Sequence, residues 1–216
     1  MMNVIVTFRE YVMTSIENDK PINGKPRILL LSGSTRRLSY NTRLARHMAL
    51  TVEQAGGNAT LISLADYPMA IYHADDEAQF GLPESARQLR ALFKSHHGVF
   101  FASPEENSSI SALLKNTLDW VSRADGDEPG KVPYIGKVAA IGGATTGASG
   151  TRLGLLHLRT VLSGLGMLVL PSVMTIPFAA NAFDDAGLLQ SEEQRAAAEA
   201  LALSLVRTAR AVGVSS

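Results

Sequence analysis

The chain of 216 residues contains no cysteine. A disulfide framework, a Cys-ligated zinc site, an iron–sulfur cluster and a cysteine nucleophile are thereby excluded. It also lacks an excess of charge of either sign, since twenty Lys and Arg balance twenty Asp and Glu. A general nucleic-acid coat or a binder of acidic membranes needs a basic surplus, so neither nucleic acid nor membrane is expected as a partner. Long apolar runs are missing too. The longest, such as residues 28–31 and 167–170, fall far short of the roughly twenty residues that span a bilayer. No long apolar stretch near the N-terminus suggests a secretory signal, and a cytoplasmic location is expected. What is present is a globular composition, 46% apolar and 19% charged, of a length that suits one domain.

Residues 1–26 have weak periodicity and end in Asn18-Asp19-Lys20-Pro21-Ile22-Asn23-Gly24-Lys25-Pro26, which is turn and linker chemistry. They read as a poorly ordered tail, with Met13 as an alternative start, and residues 27–216 as the domain. Short continuous apolar runs follow at residues 27–32, 59–64, 98–102, 137–141 and 167–170, as strands buried on both faces require. Between them lie amphipathic helical patterns over residues 41–55, 83–94, 109–123 and 152–165. A last helix is predicted over residues 192–210, opened by a capping box of Ser191 and Gln194. Strands alternating with helices predict an α/β fold, a three-layer sandwich around a five-stranded parallel sheet. Its predicted order is the flavodoxin-like 2-1-3-4-5.

Ligands of such sheets bind beyond the carboxyl ends of the strands at the switch point, here between strands 1 and 3. After strand 1 the chain reads Ser32-Gly33-Ser34-Thr35-Arg36-Arg37-Leu38-Ser39-Tyr40-Asn41. Ser34, Thr35, Ser39 and Asn41 add donors to a helix N-terminus and Arg36 adds charge, which suits a phosphate monoester. A plainer reading makes Ser39 or Asn41 a helix cap and the arginines solvated surface. After strand 3, Pro104-Glu105-Glu106-Asn107 precedes Ser108 or Ser109 as a helix cap. The loop either serves only that cap or presents backbone to a planar heterocycle. Gly142 and Gly147 after strand 4 imitate a nucleotide-binding loop, but Ala148 stands where Lys is required, and the first turn has no G-x-G-x-x-G. Ser-His-Asp and metal-ligand spacings are not evident, so catalytic and metal residues are assigned to none. His96-His97, at a helix end, read as structural.

Two of these loops carry long motifs. Gly33-Ser34-Thr35-Arg36-Arg37-Leu38-Ser39-Tyr40-Asn41 fits G-S-x-R-x-x-S-x-N. Residues 104–120 largely fit P-E-Y-N-x-S-I-x-x-x-L-K-N-x-x-D-W. Over residues 27–190 the chain resembles the NAD(P)H-dependent FMN reductase family, which includes flavodoxin-like quinone, azo-dye and chromate reductases. The resemblance implies FMN as cofactor, with NADPH or NADH as electron donor. It places the FMN phosphate on Ser34, Arg36, Ser39 and Asn41, with Tyr40 inside that motif. Pro104, Glu105, Glu106 and Asn107 would line the isoalloxazine, with Ser109 in the same motif, and Thr145 would approach from the other side. Glu106 departs from the family's Tyr. A homodimer or homotetramer is implied, with the helix carrying residues 114–120 at the contact.

The implied reaction passes a hydride from the nicotinamide to flavin N5. A small acceptor such as a quinone, azo compound or flavin is then reduced, and the cofactor carries the chemistry. The alternative is a flavin-binding electron carrier or redox-responsive interaction protein with little turnover, because fold alone does not decide function. The neutral charge balance favours the reductase.

Overall fold

The computed structural model describes residues 24–212. Residues 1–23, nearly all of the expected tail, lie outside the described residues. Pro26 is already buried, and its carbonyl accepts from the Asn58 N–H at 2.8 Å. Five parallel strands form the sheet: β1 (Arg27–Ser32), β2 (Asn58–Leu61), β3 (Gly98–Ala102), β6 (Val138–Ala144) and β7 (Leu168–Ile176). Their order is β2-β1-β3-β6-β7. Renumbered within this sheet, that is the predicted 2-1-3-4-5. β4 (Glu105–Glu106) and β5 (Ser109–Ile110) form a separate small antiparallel hairpin.

Alternation along the central strands builds two cores. Ile28 and Leu30 of β1, Phe100 of β3 and Val138 and Ala140 of β6 face one side. There α1 (Tyr40–Gln54) and α6 (Glu192–Val212) cover them with Leu44, Met48, Val52, Leu201 and Leu205. Leu29, Leu31, Val99, Phe101, Ala139 and Ile141 face the other side. There α3 (Glu84–Ser95), α4 (Ala112–Val121) and α5 (Arg152–Leu165) supply Leu89, Phe93, Leu114, Leu118, Leu158 and Leu162. Side chains that leave a strand on alternate faces explain why the buried runs are continuous. The edge strand β7 holds Pro171, which an interior strand would not tolerate.

Several predicted boundaries change, and β7, expected over residues 167–170, continues to Ile176. The helix expected from residue 109 begins only at Ala112, because Ser109 and Ile110 pair with Glu106 and Glu105 in the hairpin. Its cap is Ser111, whose Oγ accepts from the Leu114 N–H at 3.3 Å, and neither Ser108 nor Ser109. The sequence reading also missed α2 (Ala74–Phe80), a short helix that buries no residue and so has no apolar period to find.

The 124–133 segment, between α4 and β6, is anchored from beneath. Arg90 of α3 is 2% exposed, and its guanidinium donates to the carbonyls of Val121, Arg123 and Gly130 and to Glu128. Tyr134 is fully buried and donates to Leu118 O at 3.1 Å.

Candidate functional site

At the carboxyl end of β1 the chain turns sharply. Gly33 N donates to Ala102 O at 2.9 Å, Ser34 N to Ser32 Oγ at 3.2 Å and Ser39 N to Arg36 O at 3.0 Å. Ser39 then caps α1, accepting from Thr42 N at 3.4 Å. The first-turn N–H groups of Tyr40 and Asn41 have no helical carbonyl to meet, as at any helix start. With the macrodipole behind them they favour an anion. Arg36 lies above the rim, its guanidinium 5.9 Å from the Tyr40 ring centre. Arg43 stands 5.8 Å from the same ring, which stacks on Phe183 with centroids 6.4 Å apart.

The Asn41 side chain, expected on the phosphate, is engaged with the backbone at the end of β6. It is 4% exposed, and its amide is engaged twice with Ala144: Nδ2 donates to the carbonyl at 3.0 Å and Oδ1 accepts from the N–H at 2.9 Å. Its side chain fastens the first loop to the end of β6, and its own first-turn N–H remains for the ligand.

The second loop is the β4–β5 hairpin. Asn107 and Ser108 sit at its tip with φ of 49° and 63°, the paired left-handed conformation of a tight two-residue turn. Glu105 reaches across the chain, and its Oε2 accepts from Gly154 N at 2.9 Å. That contact supplies the cap α5 lacks, because Thr151 at its start has φ of 63° and makes no side-chain cap bond. Ser111 Oγ donates to Gly33 O at 2.6 Å, joining the second loop to the first. At Gly33 a Cβ would lie 3.0 Å from Ser111 Oγ and 3.1 Å from Pro104 Cδ. At Gly143 it would collide with Thr151 Oγ1 and lie 2.5 Å from Ser103 O. These two glycines let the three loops close on one another.

They enclose one cavity of about 590 Å³. Of the residues singled out in the sequence, Ser34, Arg36, Ser39, Tyr40, Asn41, Pro104, Glu105, Glu106 and Thr145 line it together. Asn107 and Ser109 do not. They line a neighbouring groove of about 530 Å³ between the hairpin, α4 and α5, and Glu106 is the residue common to both. Leu113, Ala144 and Thr146 also line the cavity and were missed. Leu113 is half-buried on α4, where its helical period reads as core.

The volume, the hydroxyl- and amide-rich end at α1 and the apolar Pro104, Leu113 and Ala144 fit a phosphorylated planar cofactor of FMN's size. Among the described residues no group of three His, Cys, Asp or Glu could hold a metal, and no helix is long and apolar enough to cross a membrane. His96 and His97 lie at the opposite end of the sheet, in backbone hydrogen bonds.

This architecture is that of a flavodoxin-like protein. The solved structure of the flavoenzyme NAD(P)H:(acceptor) oxidoreductase FerB from Paracoccus denitrificans superposes with a TM-score of 0.74 over 87% of this chain and 98% of its own, at 23% identity. Residues 26–181 match the profile of the NADPH-dependent FMN reductase family. An NAD(P)H-dependent FMN reductase of Pseudomonas aeruginosa is 35% identical over 171 residues, 78% of this chain and 87% of that protein. A 2-hydroxy-1,4-benzoquinone reductase of a Burkholderia species is 31% identical over 170 residues, 78% and 88% of the two chains. The chain belongs to the NADPH-dependent FMN reductase family and is an NAD(P)H-dependent flavin oxidoreductase.

Proposed function

We propose that this protein binds FMN in the three-loop cavity, takes reducing equivalents from NADPH or NADH, and passes them to a quinone or similar small acceptor in the cytoplasm. The observation that carries the reading is the meeting of Ser34, Arg36, Ser39 and Tyr40 with Pro104, Glu106 and Thr145 around one cavity. When bound, FMN supplies the two-electron chemistry that links nicotinamide to acceptor. The first-turn N–H groups of α1, the Ser34 and Ser39 hydroxyls and Arg36 hold its phosphate. Pro104, Leu113 and Ala144 exclude water from its ring, while Asn41, Ser111 and Glu105 fix the loops that carry these groups. No side chain is assigned as an obligatory acid or base. The quinone class is supported by the name of the Burkholderia relative.

A homodimer or homotetramer is the assembly proposed, and an apolar surface beside the cavity supports it. The groove beside the cavity has Ile110, Ala112 and Val161 in its walls, and Leu153 and Leu156 are exposed on α5. The core-facing residues Leu114, Leu118 and Trp120 of α4 are not available for that contact, being buried within the chain.

The test is the visible spectrum of the protein mixed with FMN and freed of excess, before and after anaerobic NADPH or NADH. A bound flavin band that bleaches supports the reductase. A bound band that neither nucleotide bleaches points to an electron carrier, and absence of bound flavin sinks the cavity assignment.

A further inference from the structure

Glu106 occupies a position that the loop contacts described above leave unused. Its carboxylate is exposed on the wall shared by the cofactor cavity and the adjoining groove. The charges around it are engaged elsewhere. Glu105 caps α5 through Gly154 N, and Lys115 across the groove holds Asp119 at 2.7 Å. Arg36 is drawn to the Tyr40 ring in the first loop, and His157 Nδ1 faces Ser109 Oγ at 3.1 Å. The Glu106 carboxylate makes no hydrogen bond or ion pair among the described residues. Its backbone is paired to Ser109 next to a two-residue turn, so the charge stands on a short, defined hairpin and not on a loose loop. A fixed, unpaired negative charge at a cavity mouth biases the approach of charged molecules before any contact is made.

We propose that Glu106 is a specificity residue that selects electron acceptors by charge, admitting neutral and cationic acceptors and excluding anionic ones. The proposal rests on the flavin reductase reading. Two acceptors of different charge expose the effect. Benzoquinone is neutral and takes two electrons and two protons from NADPH and a solvent proton, giving hydroquinone and NADP⁺. Two ferricyanide anions take one electron each from one NADPH, giving two ferrocyanides, NADP⁺ and a proton. Of the two acceptors only ferricyanide meets Coulomb repulsion at Glu106, and NADPH, an anion common to both reactions, does not enter their ratio.

The experiment compares the holoenzyme with Glu106→Gln and Glu106→Lys. In Glu106→Gln the ratio of kcat/KM for ferricyanide to that for benzoquinone rises roughly tenfold at low salt, and further in Glu106→Lys. In 1 M salt, where the Debye length is about 3 Å, the difference between the variants collapses. A second readout needs no turnover. The affinity of benzenesulfonate relative to its neutral analogue benzenesulfonamide, followed by calorimetry on the oxidised holoenzyme, rises several-fold in Glu106→Gln. If both ratios stay at the wild-type value while NADPH-driven benzoquinone reduction persists, the charge filter is wrong and the reductase stands. If wild type neither retains FMN nor reduces benzoquinone, the reductase reading falls and the filter with it.

Discussion

The two ends of the same sheet use similar residues in opposite ways. At the amino ends of the strands the charged and titratable groups face one another or the backbone. Glu128 receives Arg90 and Lys94, Lys137 Nζ donates to Lys94 O at 2.9 Å, and Arg27 Nε donates to Ser95 O at 2.6 Å. His97 Nδ1 accepts from Arg27 N at 2.9 Å, and His96 Nδ1 meets Leu92 O at 2.6 Å. At the carboxyl ends, helix-start N–H groups, Arg36 and Glu106 point toward a cavity and leave part of their bonding capacity open. The first end is a clasp and the second a receptor. The lesson is that residue type alone does not mark a site; what marks it is polar capacity that the fold does not consume.

If that contrast is right, changes at the clasp should unfold the protein and changes at the receptor should spare the fold and weaken binding. The largest effect is expected at Arg90. Arg90→Met leaves the carbonyls of Val121, Arg123 and Gly130 and one Glu128 oxygen without their donor in a nearly closed site. A loss of about 3–5 kcal/mol in urea unfolding is expected. FMN affinity of the fraction that remains folded should be unaltered. A variant as stable as wild type would show that water replaces the guanidinium.

Next comes the acid response. Burial, then Arg27, Lys137 and His96, push His97 down from 6.5 to about 4. The native state therefore refuses a proton that the unfolded chain accepts. Its contribution is intact above pH 6.5 and is lost as pH falls from 6.5 toward 4. At about 1.4 kcal/mol for each pH unit, the loss is on the order of 3 kcal/mol. His47 and His96 are lowered by burial and act in the same direction. Lys137, held at about 8 by burial and Arg27, is charged in both states through this window and adds nothing to its slope. His97→Asn keeps an acceptor for Arg27 N but cannot titrate, so the slope of stability against pH between 6.5 and 4 should fall by close to one proton. An unchanged slope would place the acid sensitivity elsewhere.

At the receptor, Arg36→Ala should leave the thermal midpoint of the flavin-free protein near wild type, because the side chain is exposed and among the described residues its guanidinium meets only the Tyr40 ring. The FMN dissociation constant should rise roughly tenfold, a charge-assisted hydrogen bond discounted for solvent screening. Equal loss of stability and affinity would blur the distinction between the two ends.

Much of this was legible in residues. Continuous apolar runs such as Leu29-Leu30-Leu31 and Val99-Phe100-Phe101 read as doubly buried strands because helical patterns alternate with them, and five such strands fit the observed order. The first loop was legible because hydroxyls and Arg36 crowd a helix start. What could not be read were interactions across long sequence separations. Asn41 bonds Ala144, Glu105 bonds Gly154 and Ser111 bonds Gly33, and in each case a residue that reads locally as a ligand or a cap acts on a distant backbone. The hairpin also escaped notice, because its strands are two residues long and its turn is Asn-Ser, without the glycine that usually announces one.

That turn offers the smallest and sharpest test. Ser108 is held at φ 63°, where an L-residue with a Cβ is strained by roughly 1–2 kcal/mol. Glycine removes the strain but adds roughly 0.5–1 kcal/mol of unfolded-state entropy to be lost on folding. The two terms oppose each other with the strain larger, so Ser108→Gly should gain about 0.5 kcal/mol, a rise of roughly 1–2 °C in Tm for a domain of this size. Asn107→Gly should gain less, because Asn tolerates the left-handed region better than Ser does. The hairpin carries Glu106 at the cavity mouth, so a stabilised turn with unaltered acceptor preference would show that the receptor end tolerates relief of this strain. A Tm below wild type would instead mean that the Ser108 side chain supports the turn through a contact to water.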